Sequence, residues 1–172
     1  MKTPCAPAPL RWISALVVTA LLAGCGFHLR GAQDVQIDKR LSPMLVTGIG
    51  TSDPLYGALA AALGESGVTV TRQAGEAQSV LVLSARENRR RVVAVNSKGQ
   101  AIEYDVVEGV TFELLDRNRQ TLVEEQRIET DRSYTDPAGD PVALAAERAL
   151  LRDIARQDLV QQIVRRLRFS TR

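Results

Sequence analysis

Four basic side chains crowd the middle of the chain: Arg89, Arg90 and Arg91 in succession, and Lys98 a few residues on, with Arg86 just upstream. A guanidinium offers a planar fork of donors that matches phosphate oxygens, so this stretch suits an anionic headgroup. The same residues serve equally as solvated charges that keep a strand from pairing along its edge, and residue type alone leaves both readings open. Arg148, Arg152 and Arg156 recur every four residues and form one stripe of a helix, most simply its solvated face opposite an apolar one. Arg165, Arg166, Arg168 and Arg172 put charge where it complements the helix dipole, which needs no ligand. Catalytic constellations are missing. The sole histidine, His28, has neither a second His nor a spare Cys for a metal site or a Cys–His pair. No Gly-rich phosphate loop joins a strand to a helix, and the acids form no recognisable active-site motif. The residues point to binding without catalysis, with no cofactor and no metal.

One residue type carries covalent chemistry. Lys2 and Arg11 precede an apolar run from Trp12 to Ala23, the layout of a signal peptide, and 12 residues fall short of the roughly 20 that a helix needs to cross a bilayer. The run ends in Leu22-Ala23-Gly24-Cys25, which resembles the lipobox: small residues suit the protease subsite, and the Cys25 thiol takes a diacylglycerol thioether before cleavage frees an amino group for acylation. Two or more acyl chains hold a protein stably to a membrane. Residues 1–24 are therefore expected to be cleaved and Cys25 to carry S-diacylglycerol and an N-acyl chain. Gly26, in place of the Asp that retains lipoproteins at the inner membrane, points to the outer membrane. Cleavage also removes Lys2 and Arg11, so the net charge of +2 (22 basic, 20 acidic) becomes 20 against 20. A balanced chain has no general field for polyanions, and nucleic acid is not an expected partner. With Cys5 removed and Cys25 acylated, no disulfide forms within the mature chain.

The elements that must position these residues follow from periodicity. Residues 25–42, poor in apolar side chains, read as a lipidated tether, and 43–172 as a single domain. Met44 to Ile49 reads as a strand; Asp53-Pro54 opens a helix, carried on by Leu55, Leu59, Ala62 and Leu63 and closed near Gly64 and Gly67. Val68 to Thr71 is a short strand. Ser79 to Leu83 starts a longer one, its continuation through a polar stretch to Val95 open, and a hairpin turn spans Ser97 to Gln100. From Ile102 to Leu114 the even positions are mostly apolar, predicting a strand with one buried face. Thr121 to about Tyr134 is a polar strand near a sheet edge. After Pro141 the period changes to that of a helix, running to about Arg168, with Ala146, Leu150 and Ile154 on the apolar side and Val160, Val164 and Leu167 continuing it. The expected class is α+β: two helices packed on one face of a mixed, mainly antiparallel sheet of about four or five strands.

The segment Cys25-Gly26-Phe27-His28-Leu29-Arg30-Gly31, behind Leu22 to Gly24 and ahead of this order of elements, resembles the LptE family of lipopolysaccharide-assembly lipoproteins. Glu103-Tyr104 after the hairpin, the strand ending at Asp116, and Arg132-Ser133-Tyr134 before the final helix extend the likeness loosely over most of the mature chain. The resemblance implies an outer-membrane lipoprotein, exposed to the periplasm and to a barrel lumen, that helps an LptD-type β-barrel to assemble, plugs it in a 1:1 complex and binds lipopolysaccharide. It also strengthens the headgroup reading of Arg89, Arg90, Arg91 and Lys98. A lipid-carrying or assembly lipoprotein of another outer-membrane system is the alternative, and would need a lipid-sized cavity.

Overall fold

Two turns of the same chemistry organise most of the sheet. At Asn96 and again at Asp116 a side-chain oxygen accepts the backbone N–H groups two and four residues on, from Lys98 and Gln100 at 2.9 and 3.0 Å and from Asn118 and Gln120 at 2.8 Å each. Gly99 (φ 74°) and Arg119 (φ 65°) take the matching left-handed position. Each turn is a three-residue hairpin loop that fixes strand register. The three strands so joined are β3 (Ser79–Val95), β4 (Ala101–Asp116) and β5 (Thr121–Thr135), in an antiparallel meander. The computed structural model describes residues 36–136 and 141–170; Cys25, His28, the signal peptide and most of the expected tether lie outside them.

Ahead of the meander, β1 (Met44–Thr47) and β2 (Val70–Thr71) run parallel, joined by α1 (Pro54–Glu65). The order across the sheet is β2-β1-β3-β4-β5. Asp53 caps α1 through a 2.8 Å bond from the Leu55 N–H, with Pro54 at the first helical position where no donor is needed. The helix ends on Gly67 at φ 84°, with Gly67 N–H bonded to the Gly64 carbonyl and Val68 N–H to that of Leu63, both at 3.0 Å. This is a Schellman motif, and its Leu63 and Val68 pack together in the core. Gly48 is required for another reason: a Cβ there would stand 1.7 Å from the Leu83 carbonyl oxygen.

The last helix, α2 (Pro141–Ser170), closes the core with Leu159, Val160, Ile163, Val164 and Leu167 against α1 and against Leu81, Leu83, Phe112 and Leu114 of the sheet. The fold is thus two helices on a five-stranded, mostly antiparallel sheet, as expected. Three details differ. Ile37 and Leu41 are buried, so the core starts before residue 43 and the end of the expected tether belongs to the fold. Leu150 and Ile154 are exposed, because the stripe of α2 that faces the sheet passes through Arg148, Arg152 and Arg156 in its first half and through Leu159, Ile163 and Leu167 in its second. And β4 is buried on both faces from Asp105 to Phe112: Val107 has 0% exposure, with Arg89 and Asp131 as its cross-strand neighbours. Charged side chains of the flanking strands shield the face that the helices leave open.

Candidate functional site

Strand alternation takes the arginine run apart. Arg89 and Arg91 project from the open face of β3, Arg90 from the helix-covered face, and Lys98 stands in the turn. From Arg90 to Val95, which pairs with Ala101, is five steps along the strand, about 17 Å at the usual rise. The four cations do not form one cluster.

The open face carries a lattice of ion pairs. Glu87 holds both Arg89 and Arg127; Arg127 also reaches Glu129 at 3.2 Å. Arg89 and Arg91 approach Glu129 at 3.9 and 4.0 Å. Arg91 donates to Asp105 at 2.6 Å, and the Ser133 hydroxyl donates to the same carboxylate at 2.7 Å. The Arg91 hydrogen bond, then that of Ser133, holds the Asp105 carboxyl below the usual aspartate range, and the Arg89 bond does the same for Glu87. Arg89 and Arg91 are therefore engaged, and an arriving phosphate would have to displace carboxylates to reach them.

On the other face Arg90 makes no ion pair among the described residues. Its guanidinium lies 4.3 Å over the ring of Tyr104, which stacks on Tyr134 at 5.6 Å and 21°. Arg148 of α2 completes the row, 5.8 Å from the Tyr134 ring and 4.0 Å from Asp136. Lys98 has an exposed side chain with no ion-pair partner among the described residues. Around these two cations Val92, Val93, Val95 and Ile102 are exposed, Val95 by 57%. The hairpin end thus presents two cations without carboxylate partners among the described residues, Arg90 stacked on Tyr104 and Lys98 in the turn, beside apolar surface.

Sequence reasoning passed over two groups. One is the Tyr104–Tyr134–Arg148 row, signalled only by the parity of Tyr104 and the four-residue spacing of the helix arginines. The other is a buried ion cluster at a bulge in β3, where Ala85 adopts φ 45° and the register shifts between Ser84 and Glu87. Arg86 emerges there beneath α1. It meets the fully buried Glu108 at 2.5 Å and the α1 cap Asp53 at 3.4 Å, while Asn88 donates to the other Glu108 oxygen at 2.9 Å. A bulge has no hydropathy signature. Among the described residues no group of His, Cys, Asp and Glu is placed to hold a metal, and no helix is long and apolar enough to cross a membrane. A groove of about 230 Å³ between the helices is lined by Ala58, Ala61, Ala62, Glu65, Gln157, Val160 and Gln161.

Comparison with known proteins matches residues 36–167 to a family model described as LptE, lipopolysaccharide-assembly. The chain is similar to the LPS-assembly lipoprotein LptE of Pectobacterium atrosepticum, 31% identical over 155 residues that cover 86% of this chain and 78% of the relative. It is likewise similar to that of Photorhabdus laumondii, 29% identical over 157 residues, 89% of this chain and 80% of the relative. In fold it is similar to lipoprotein B of Nitrosomonas europaea, with a TM-score of 0.66 at 23% identity over 85% of this chain and 90% of that one. A minor lipoprotein of Acinetobacter baumannii gives 0.63 at 24% identity, over 75% and 92%.

Proposed function

The chain belongs to the LptE family of lipopolysaccharide-assembly lipoproteins, and from that premise we propose that it partners an LptD-type β-barrel of the outer membrane in a 1:1 complex, plugs its lumen and binds lipopolysaccharide bound for the cell surface. The family's work is assembly and involves no catalysis. The observation that carries the reading is the family match across residues 36–167, which takes in the hairpin, its turn and all of the core. Cys25, behind Leu22 to Gly24, is the residue that anchors the chain by its acyl groups. Capture of the tagged chain from native outer membranes should bring down a large β-barrel in equal amount; a chain recovered alone, from membranes that hold the barrel, refutes the partnership.

Of Arg89, Arg90, Arg91 and Lys98, we assign to the phosphorylated headgroup Arg90 and Lys98, which have no ion-pair partner among the described residues, with Val92, Val93, Val95 and Ile102 beside them to meet acyl chains. What supports this division is the carboxylate lattice that already holds Arg89 and Arg91. Arg90→Ala and Lys98→Ala should weaken binding of purified lipopolysaccharide several-fold, whereas Arg89→Ala and Arg91→Ala should act on stability. The opposite pattern would reassign the site to the open face. A lipid carrier needs room for acyl chains, which the groove described between the helices, at about 230 Å³, does not by itself provide.

A further inference from the structure

The longest helix is two different helices joined end to end. Between Val142 and Ile154 not one described side chain is buried, while Ala155, Leu159, Val160, Ile163, Val164 and Leu167 all are. The stripe that seals the core from Leu159 onward is made of Arg148, Arg152 and Arg156 before it, so the inward side of the first half is cationic. Leu150, at 60% exposure, points away. Arg148 makes the ion pair to Asp136, just past β5, and the ring contact to Tyr134 within it. The cations around it are Arg90 and Arg132 on the sheet and Arg152 on its own helix; the acids are Asp136 on the sheet side and Asp153 and Asp158 on the helix, of which Asp153 pairs with Arg156 and Asp158 with Arg132. Such a surface gains less from docking than an apolar one, because its half-buried arginines bring polar atoms out of water, the Nε groups of Arg148 and Arg152 without a hydrogen-bond partner among the described residues, and bury few methyl groups.

The boundary between the halves is also marked. The hydroxyl of Thr130 donates to the Ala155 carbonyl at 2.9 Å, and Arg132 pairs with Asp158 one turn on. These contacts pin the start of the packed half to β5. The Ala155 carbonyl thus accepts a donor from the sheet at the point where the packing of the helix stops, which sets a fixed end for the half before it.

We propose that residues 142–154 form a flap that opens as a unit about Ala155, lifting from the Tyr104–Tyr134 row while the core stays folded. Local opening of this kind follows where backbone hydrogen bonds are exposed and apolar contacts are few. Open, the flap bares the stacked tyrosines beside Arg90, a flat aromatic surface with a cation at its end.

Amide hydrogen exchange on the full-length protein in detergent tests this. Amides of residues 146–154 are expected to exchange at one common rate, at least ~100-fold faster than those of 159–167 and with little dependence on denaturant. Arg148→Ala should raise the common rate several-fold and leave 159–167 unchanged. Rates that fall smoothly from residue 142 inward would be ordinary fraying and overturn the proposal, as would one shared rate for both halves. Ala149→Pro gives a reading independent of exchange. A helix break confined to a flap lowers the melting midpoint by less than about 5 °C, and a larger fall means that this half is integral to the fold.

Discussion

Glu108 is wholly buried, with Arg86 paired to one of its carboxylate oxygens and Asn88 donating to the other. A buried carboxylate left without its cation costs about 3–5 kcal/mol, whereas replacing both partners by apolar groups is often neutral. Arg86→Leu should therefore lower the unfolding free energy by about 3–5 kcal/mol in urea titration, and Arg86→Leu with Glu108→Leu should recover most of it. If the double variant is as unstable as the single one, the cost lies in the Asp53 contact and not in a stranded charge. On the open face the sign of the pH effect follows from Asp105, whose carboxyl titrates below the usual aspartate range because Arg91 and then Ser133 bond to it. Its contribution is complete above about pH 4, where the unfolded residue is ionised, and is lost as the pH falls through the depressed folded value. Asp105→Asn should thus flatten the stability curve below about pH 4 while lowering the plateau above it, which unfolding titrations across that range will show. None of this was legible beforehand. Acid and base 22 residues apart, such as Arg86 and Glu108, declare no pairing until the register and the bulge bring them together.

The two hairpin turns share a backbone and differ in one residue. Gly99 occupies the left-handed position without strain, while Arg119 holds φ 65° with a Cβ that disfavours it. Arg119→Gly should raise stability by up to about 1 kcal/mol, net of the extra freedom glycine gives the unfolded chain, and Gly99→Ala should lower it by a similar amount. Equilibrium unfolding of the two variants is the check, and changes of the same sign would show that the loops are not equivalent. Elements like these were the readable part of the chain. Asp53-Pro54 names a helix start because its chemistry is local, and Ser97 to Gln100 names a turn for the same reason. Alternation along β4 marked its helix-facing side but not that Val107 on the other side is buried too, since that depends on which strands flank it. The run Arg89 to Arg91 is contiguous in sequence but not in space, because a period of two places its middle member across the sheet.

At the scale of the molecule, the apolar core lies at one end of the sheet and most of the large exposed apolar side chains lie away from it, Leu122 and Phe169 excepted. The base, where α1 and the second half of α2 cover β1 and the inner ends of β3 and β4, holds the apolar core, whereas Val92, Val93, Val95 and Ile102 at the hairpin end and Leu150 on α2 stay in solvent. A fold that buries Leu159 completely and exposes Leu150 on the same helix should respond very differently to losing each. Leu159→Ala removes buried methylenes and leaves a cavity, costing about 2–5 kcal/mol, while Leu150→Ser should stay within about 0.5 kcal/mol of the parent. Val93→Thr with Val95→Thr belongs with Leu150→Ser in the isolated chain and should be just as silent in thermal unfolding. The two classes should then exchange ranks when the readout is lipopolysaccharide binding or recovery of the barrel at matched levels of folded protein: Leu159→Ala keeps both, and Val93→Thr with Val95→Thr loses one or both by several-fold. If the valine pair is silent in every readout, the apolar hairpin end is ordinary solvent-facing surface, and the contact with lipid or barrel has to be sought on the charged face of the sheet.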